Sequence, residues 1–191
     1  MEKIADKLTK YIVKINIISE TEYEIYKYGF VIGLEFFLCA ATCFMVAAWI
    51  SMITEYILFL VTFFVLRSYI GGIHMRSYWA CYILSCTVII ISLLGVKYYS
   101  LSSGKGLFIA FIEIIIVELA MKFETKETDV NLDYLLKAKY VISFVYMVLI
   151  IFYGFRLNTF ANTILNALSV LTISLLLEKI EKGIVAKRRE N

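Results

Sequence analysis

GFVIGLEFFLCAATCFMVAAWI, residues Gly29 to Ile50, runs for 22 residues with one charge, Glu35. A helix rises about 1.5 Å per residue and the hydrocarbon layer is about 30 Å deep, so a run of this length is a membrane span rather than a core helix. Working outward, five further apolar runs follow: Ser51 to Leu66, Ser77 to Val96, Leu107 to Met121, Tyr140 to Phe155 and Thr159 to Leu177. None alternates polar and apolar residues, which disfavours a barrel, and in lipid a helix satisfies its own backbone. Composition agrees, since 61% of the 191 residues are hydrophobic, 18% are charged and none is proline; soluble domains run at roughly 45–50% and about 25%. The sequence therefore predicts an all-α polytopic bundle of about six transmembrane helices in one domain.

Ahead of the first span, Ile4, Leu8, Ile12 and Ile15 recur at helical spacing beside a stripe of Lys3, Lys7, Lys10 and Lys14. Such a helix suits the inner leaflet, where acyl chains meet anionic headgroups, although the same stripe could pack against the protein. The expected layout is residues 1–28 as an interfacial segment, 29–177 as the bundle and 178–191 as a basic tail, with Phe123 to Lys139 as a charge-balanced loop. Of 19 basic residues, only Lys97, Lys105 and Arg156 fall in the second, fourth and sixth polar segments. Retention of Lys and Arg inside then puts both termini and the Arg67 to Arg76 turn in the cytoplasm. A net charge of +3 gives no sign of a nucleic-acid partner.

Chemistry concentrates between Arg67 and Cys81. His74 is the one histidine, and it follows the diglycine Gly71-Gly72 and precedes Cys81 by seven residues. An imidazole can take a proton from a thiol and return it to a leaving amine, so these are the residue types of a thiol protease. Each alone has a blander reading, an interfacial histidine and a packing cysteine. Seven residues of unbroken helix would hold the side chains about 10.5 Å apart along the axis, so irregular backbone is expected from Arg67 to about Tyr78, with the glycines turning His74 back. A continuous helix would leave only pairing across a dimer. Cys39, Cys43 and Cys86 read as small hydrophobic residues, with no disulfide framework, zinc site or cofactor expected.

Arg67, Gly71-Gly72, His74 and Cys81 at this spacing, in a membrane chain of this length with an amphipathic start, resemble the accessory gene regulator B (AgrB) family. The chain departs from the family's habit at Met75 and in lacking proline. The resemblance implies a cysteine endopeptidase of Gram-positive cell membranes that cuts a short AgrD-like propeptide and yields a cyclic quorum-sensing peptide. It implies Cys81 as nucleophile and His74 as base, with Arg67 and Gly72 matching the other motif positions.

Remaining ionisable groups in the spans are costly there and so draw attention. Glu35 and Glu113 are expected to line a cavity or contact substrate, Arg67 to hold a carboxylate or anchor topology, and Asn162 and Asn166 to bond between helices. Membrane lipids and a second copy of the chain are the other expected partners. A small transporter or channel without peptidase activity would share the span count and the intramembrane glutamates, and for a nonenzymatic scaffold or receptor the spacing of His74 and Cys81 would be accident.

Overall fold

The computed structural model describes the backbone of residues 2–70, 78–127 and 132–190, and the side chains of 2–69, 79–121 and 136–181. Seven α-helices account for nearly all of it: α1 (Glu2–Lys14), α2 (Tyr23–Trp49), α3 (Ile53–Ile70), α4 (Tyr78–Tyr98), α5 (Ser103–Glu127), α6 (Leu132–Gly154) and α7 (Asn158–Glu190). A single 3-10 turn, Glu20–Glu22, leads into α2, and no strand occurs among the described residues. Each of the six apolar runs lies within, or almost within, one of α2 to α7.

Among the described residues four segments are long and apolar enough to cross a membrane: Glu20–Trp49, Trp79–Tyr98, Leu136–Gly154 and Asn158–Glu181. Of the other two, α3 is only 18 residues long, with Glu55 in its first turn and Arg67 in its last, and α5 carries Lys105, Glu113, Glu118 and Lys122 along its length. The expected loop at Phe123 to Lys139 is corrected: α5 continues to Glu127 and α6 begins at Leu132. Lys, Glu, Leu and Ala are good helix formers, so the backbone stays helical past the end of the apolar pattern.

Helix α7 is the hub. It touches α3, α4, α5 and α6, and 56% of its most apolar 18-residue window is buried inside the protein. Small and hydroxyl-bearing residues, among them Ala161, Thr163, Ala167 and Thr172, let its neighbours approach closely. One core gathers α3, α5, α6 and α7 around Leu149, Ala161, Leu165 and Leu168. The other gathers α2, α3, α4 and α7 around Cys43, Ala47, Phe59 and Leu93. Outward faces are strongly apolar, with Phe37, Phe64 and Phe108 more than half exposed.

Contacts also set the sense of α2 and α4. Cys39 meets Cys86, and the Lys97 ammonium donates to the Ile50 carbonyl at 2.9 Å, a nearly constant offset that makes the two helices parallel. Helix α3 packs on α2 and, more extensively, on α7 and α6. Helix α1 rests on α2 through Ala5 and Thr9, which are fully buried, and leaves Ile4, Leu8, Tyr11 and Ile15 exposed. Asp6 ties this contact by accepting hydrogen bonds from Lys10 at 2.8 Å and from Tyr23. Lys10 first, and Tyr23 after it, hold the Asp6 carboxyl below its ordinary value.

Candidate functional site

Three helices deliver polar side chains to one sulfur. Cys81 lies in the first turn of α4 and is partly exposed. Its thiol interacts with the Glu35 carboxyl of α2 and the Ser85 hydroxyl one turn along α4, and it lies within the field of Arg67 at the end of α3. The Arg67 guanidinium stands 5.6 Å from the centre of the Phe63 ring, and Phe63 in turn stacks on Phe59 at 5.9 Å. Cation and ring attract each other through the ring quadrupole, which fixes the direction of the arginine. Glu35 Oε1 is buried and has no hydrogen-bond partner among the described residues.

Local sequence explains this arrangement. Glu35, Cys39 and Cys43 recur every fourth residue, so they share the face of α2 that meets α4. Tyr82 on α4 and Thr42 on α2 exchange a 2.9 Å hydrogen bond beside them. Parallel packing then brings the early part of α2 to the start of α4, which is where Cys81 lies. Arg67 is helical, the backbone being regular through Ile70, so the expected irregular segment does not begin at Arg67. A cation in the last turn of a helix is favoured by the unpaired carbonyls there. Gly71, Gly72 and His74, and with them the dyad geometry, lie outside the described residues.

Glu113 belongs to a different place. It is buried among α5, α6 and α7 and accepts a hydrogen bond from Ser169. Its Oε2, like the hydroxyl of Tyr146, has no partner among the described residues. Asn162 does bond between helices, accepting from Tyr153 at 2.7 Å and donating to the Leu101 carbonyl at 3.3 Å. Asn166 instead donates to Asn162's own carbonyl one turn back, at 3.0 Å. Sequence reading missed Ser85, although its position four residues after Cys81 places both on one face of a helix.

Long apolar helices around a polar, thiol-bearing site define a helical membrane protein with the side chains for thiol chemistry. The family model for Accessory gene regulator B matches residues 2–178. The chain belongs to the AgrB family, which links it to propeptide processing in agr quorum sensing and to a family of cysteine-protease character. No curated protein and no solved structure matches the chain.

Proposed function

We propose that this protein is a membrane-embedded cysteine endopeptidase that cuts a short AgrD-like propeptide and closes its N-terminal part into a ring. The observation that carries the reading is the convergence of Glu35, Arg67 and Cys81 from three helices. A packing cysteine has no need of a carboxylate on one side and a guanidinium on the other. Deprotonated Cys81 attacks a propeptide carbonyl, and His74 gives its proton to the departing amine of the C-terminal tail. A thioester to Cys81 remains. A cysteine thiol or serine hydroxyl of the propeptide then attacks that thioester, releasing the cyclic thiolactone or lactone and restoring the enzyme thiol. Exchange of one thioester for another is nearly balanced in energy, whereas water would consume the intermediate irreversibly. The site works only if water is kept out, which suits a sulfur within a bundle.

Arg67 supplies positive charge where the carbonyl oxygen becomes negative or where a substrate carboxylate docks. The orphan Glu35 oxygen is suited to accept an imidazole N–H from His74, holding the ring toward the sulfur. Glu113 is part of the structural frame of α5 to α7.

Six crossings, α2 to α7, with α1 on the inner surface and both termini in the cytoplasm of a Gram-positive bacterium, complete this reading. It is supported by the outward stripe of α1 and by the paucity of basic residues at the opposite end. A homodimer is also part of it, and the exposed apolar faces leave room for one.

The test is propeptide cleavage by protein reconstituted in liposomes. Cys81→Ala and His74→Ala should each abolish product while the protein remains inserted, and Glu35→Gln should slow cleavage by about 10- to 100-fold, an acid–base group losing its orientation. Cleavage at the unaltered rate by Cys81→Ala would end the peptidase reading.

A further inference from the structure

One turn further along the same seam lie three more sulfurs that the proteolytic reading does not use. The Sγ atoms of Cys39, Cys43 and Cys86 all lie within 4.8 Å of one another, with Cys39 and Cys86 at 3.4 Å. All three are unbridged and buried; Cys43 has no exposure, and Cys39 and Cys86 keep 7% and 8%. Two come from α2 and one from α4.

We propose that these thiols form a site for one soft monovalent metal ion, copper(I), held between α2 and α4. A cation in the plane of three cysteine sulfurs at about 2.3 Å sets the sulfurs about 4.0 Å apart. The separations, 3.4 Å between Cys39 and Cys86 and none above 4.8 Å, lie close to that figure, so small side-chain rotations close the site. Ligand type selects the ion, because thiolates favour copper(I) over magnesium, calcium or manganese, which want oxygen. Ligand number refines the choice. A closed zinc site takes four ligands, and the described residues supply three.

Of the hydroxyls nearby, Tyr56 donates to the Ala40 carbonyl at 2.8 Å, whereas Tyr82, bonded to Thr42, also reaches the Cys86 thiol. Glu35, one turn before Cys39, has its carboxyl against Cys81. Charge favours a monovalent ion too, since binding through two thiolates and one thiol leaves a net charge of only −1 in a poorly polar interior. Two thiol protons leave as the ion enters past Cys39 and Cys86. An ion so held ties α2 to α4 beside the Glu35–Cys81 contact. The inference stands on the cluster alone and does not depend on the peptidase reading.

The experiment is anaerobic titration of the full chain in detergent with copper(I), against bathocuproine disulfonate as competitor, together with copper-edge X-ray absorption of the unaltered protein. One ion per chain is expected, with a shell of about three sulfurs at about 2.3 Å. Cys43→Ala and Cys86→Ala should each weaken binding by at least about 100-fold, more than loss of an outer-shell group would, and Cys81→Ala should leave it unchanged. A shell of nitrogen or oxygen would overturn the proposal without recourse to any variant. So would unaltered affinity when Cys39, Cys43 and Cys86 are all alanine, tighter binding of zinc(II) than of copper(I), or a Cys39–Cys86 disulfide in protein purified without reductant.

Discussion

Gly106 has no room for a methyl group. A Cβ built there would overlap the hydroxyl and ring of Tyr153, whose hydroxyl reaches Asn162, which in turn reaches Leu101. One missing side chain on α5 thus admits the ring that connects α6 to α7. Gly106→Ala should displace Tyr153 and cost about 1–3 kcal/mol by overpacking. Thermal unfolding in detergent checks this, and Tyr153→Ala introduced alongside should remove most of the added penalty, as contacting residues are coupled. Equal midpoints for Gly106→Ala and the parent protein would refute the account. Composition does not reveal such a glycine, because what excludes the methyl lies 47 positions away in the chain. Cys81 and Arg67 were legible because their residue types and spacing already carry chemistry. The nearness of Glu35 to Cys81 was not, since it depends on α2 and α4 being parallel neighbours.

Helices in this chain end without proline, and three of them close in the same way. Asn16, Ser51 and Arg156 take positive φ of 56°, 59° and 58°. After α2, the Met52 amide bonds to the Ala47 carbonyl at 2.8 Å and the Ser51 amide to the Ala48 carbonyl at 3.2 Å. The same doubled pattern follows α1, through Ile17 to Ile12 and Asn16 to Val13, and α6, through Leu157 to Phe152 and Arg156 to Tyr153. These bonds satisfy carbonyls that would otherwise face lipid or the interface unpaired. Asparagine tolerates the left-handed conformation, whereas a residue such as serine is strained there by roughly 1–2 kcal/mol. Ser51→Gly should therefore stabilise the protein by about 1 kcal/mol and raise its thermal midpoint, with no change in helix content by circular dichroism. A lower midpoint would mean that the Ser51 side chain does more than tolerate the turn. The apolar runs revealed where the helices are, yet their ends were obscured by the absence of glycine and proline at these caps. The same reason hid the helical parts of Phe123 to Lys139, where only polarity changes and the helix continues.

At the scale of the whole molecule the six long helices differ less in composition than in position. Hydropathy marks four of them, α2, α4, α6 and α7, as able to cross a membrane and gives no direct account of which is central. The clue that α7 is innermost lies in its small and polar residues, which would be wasted on lipid and are useful between helices. Sidedness follows from chain direction once α2 and α4 are known to be parallel. The α2 to α3 turn, the α4 to α5 connection and the α6 to α7 turn then share one end of the bundle, where Trp49, Tyr99 and Phe155 are 87%, 81% and 76% exposed. Rings of this kind gather where acyl chains meet headgroups. That end carries Lys97, Lys105 and Arg156, and the end holding α1, the close of α3 and the start of α4 carries most of the remaining positive charge. If charge retention sets the topology, Cys81 faces the cytoplasmic leaflet, where a propeptide is made, and the aromatic end faces out. Tyr99→Cys, placed in a Cys81→Ser background, should react with a membrane-impermeant maleimide on intact cells, whereas Lys14→Cys should react only after the membrane is opened. The reverse pattern would put the thiol on the outer side and require the substrate to cross the bilayer before it is cut.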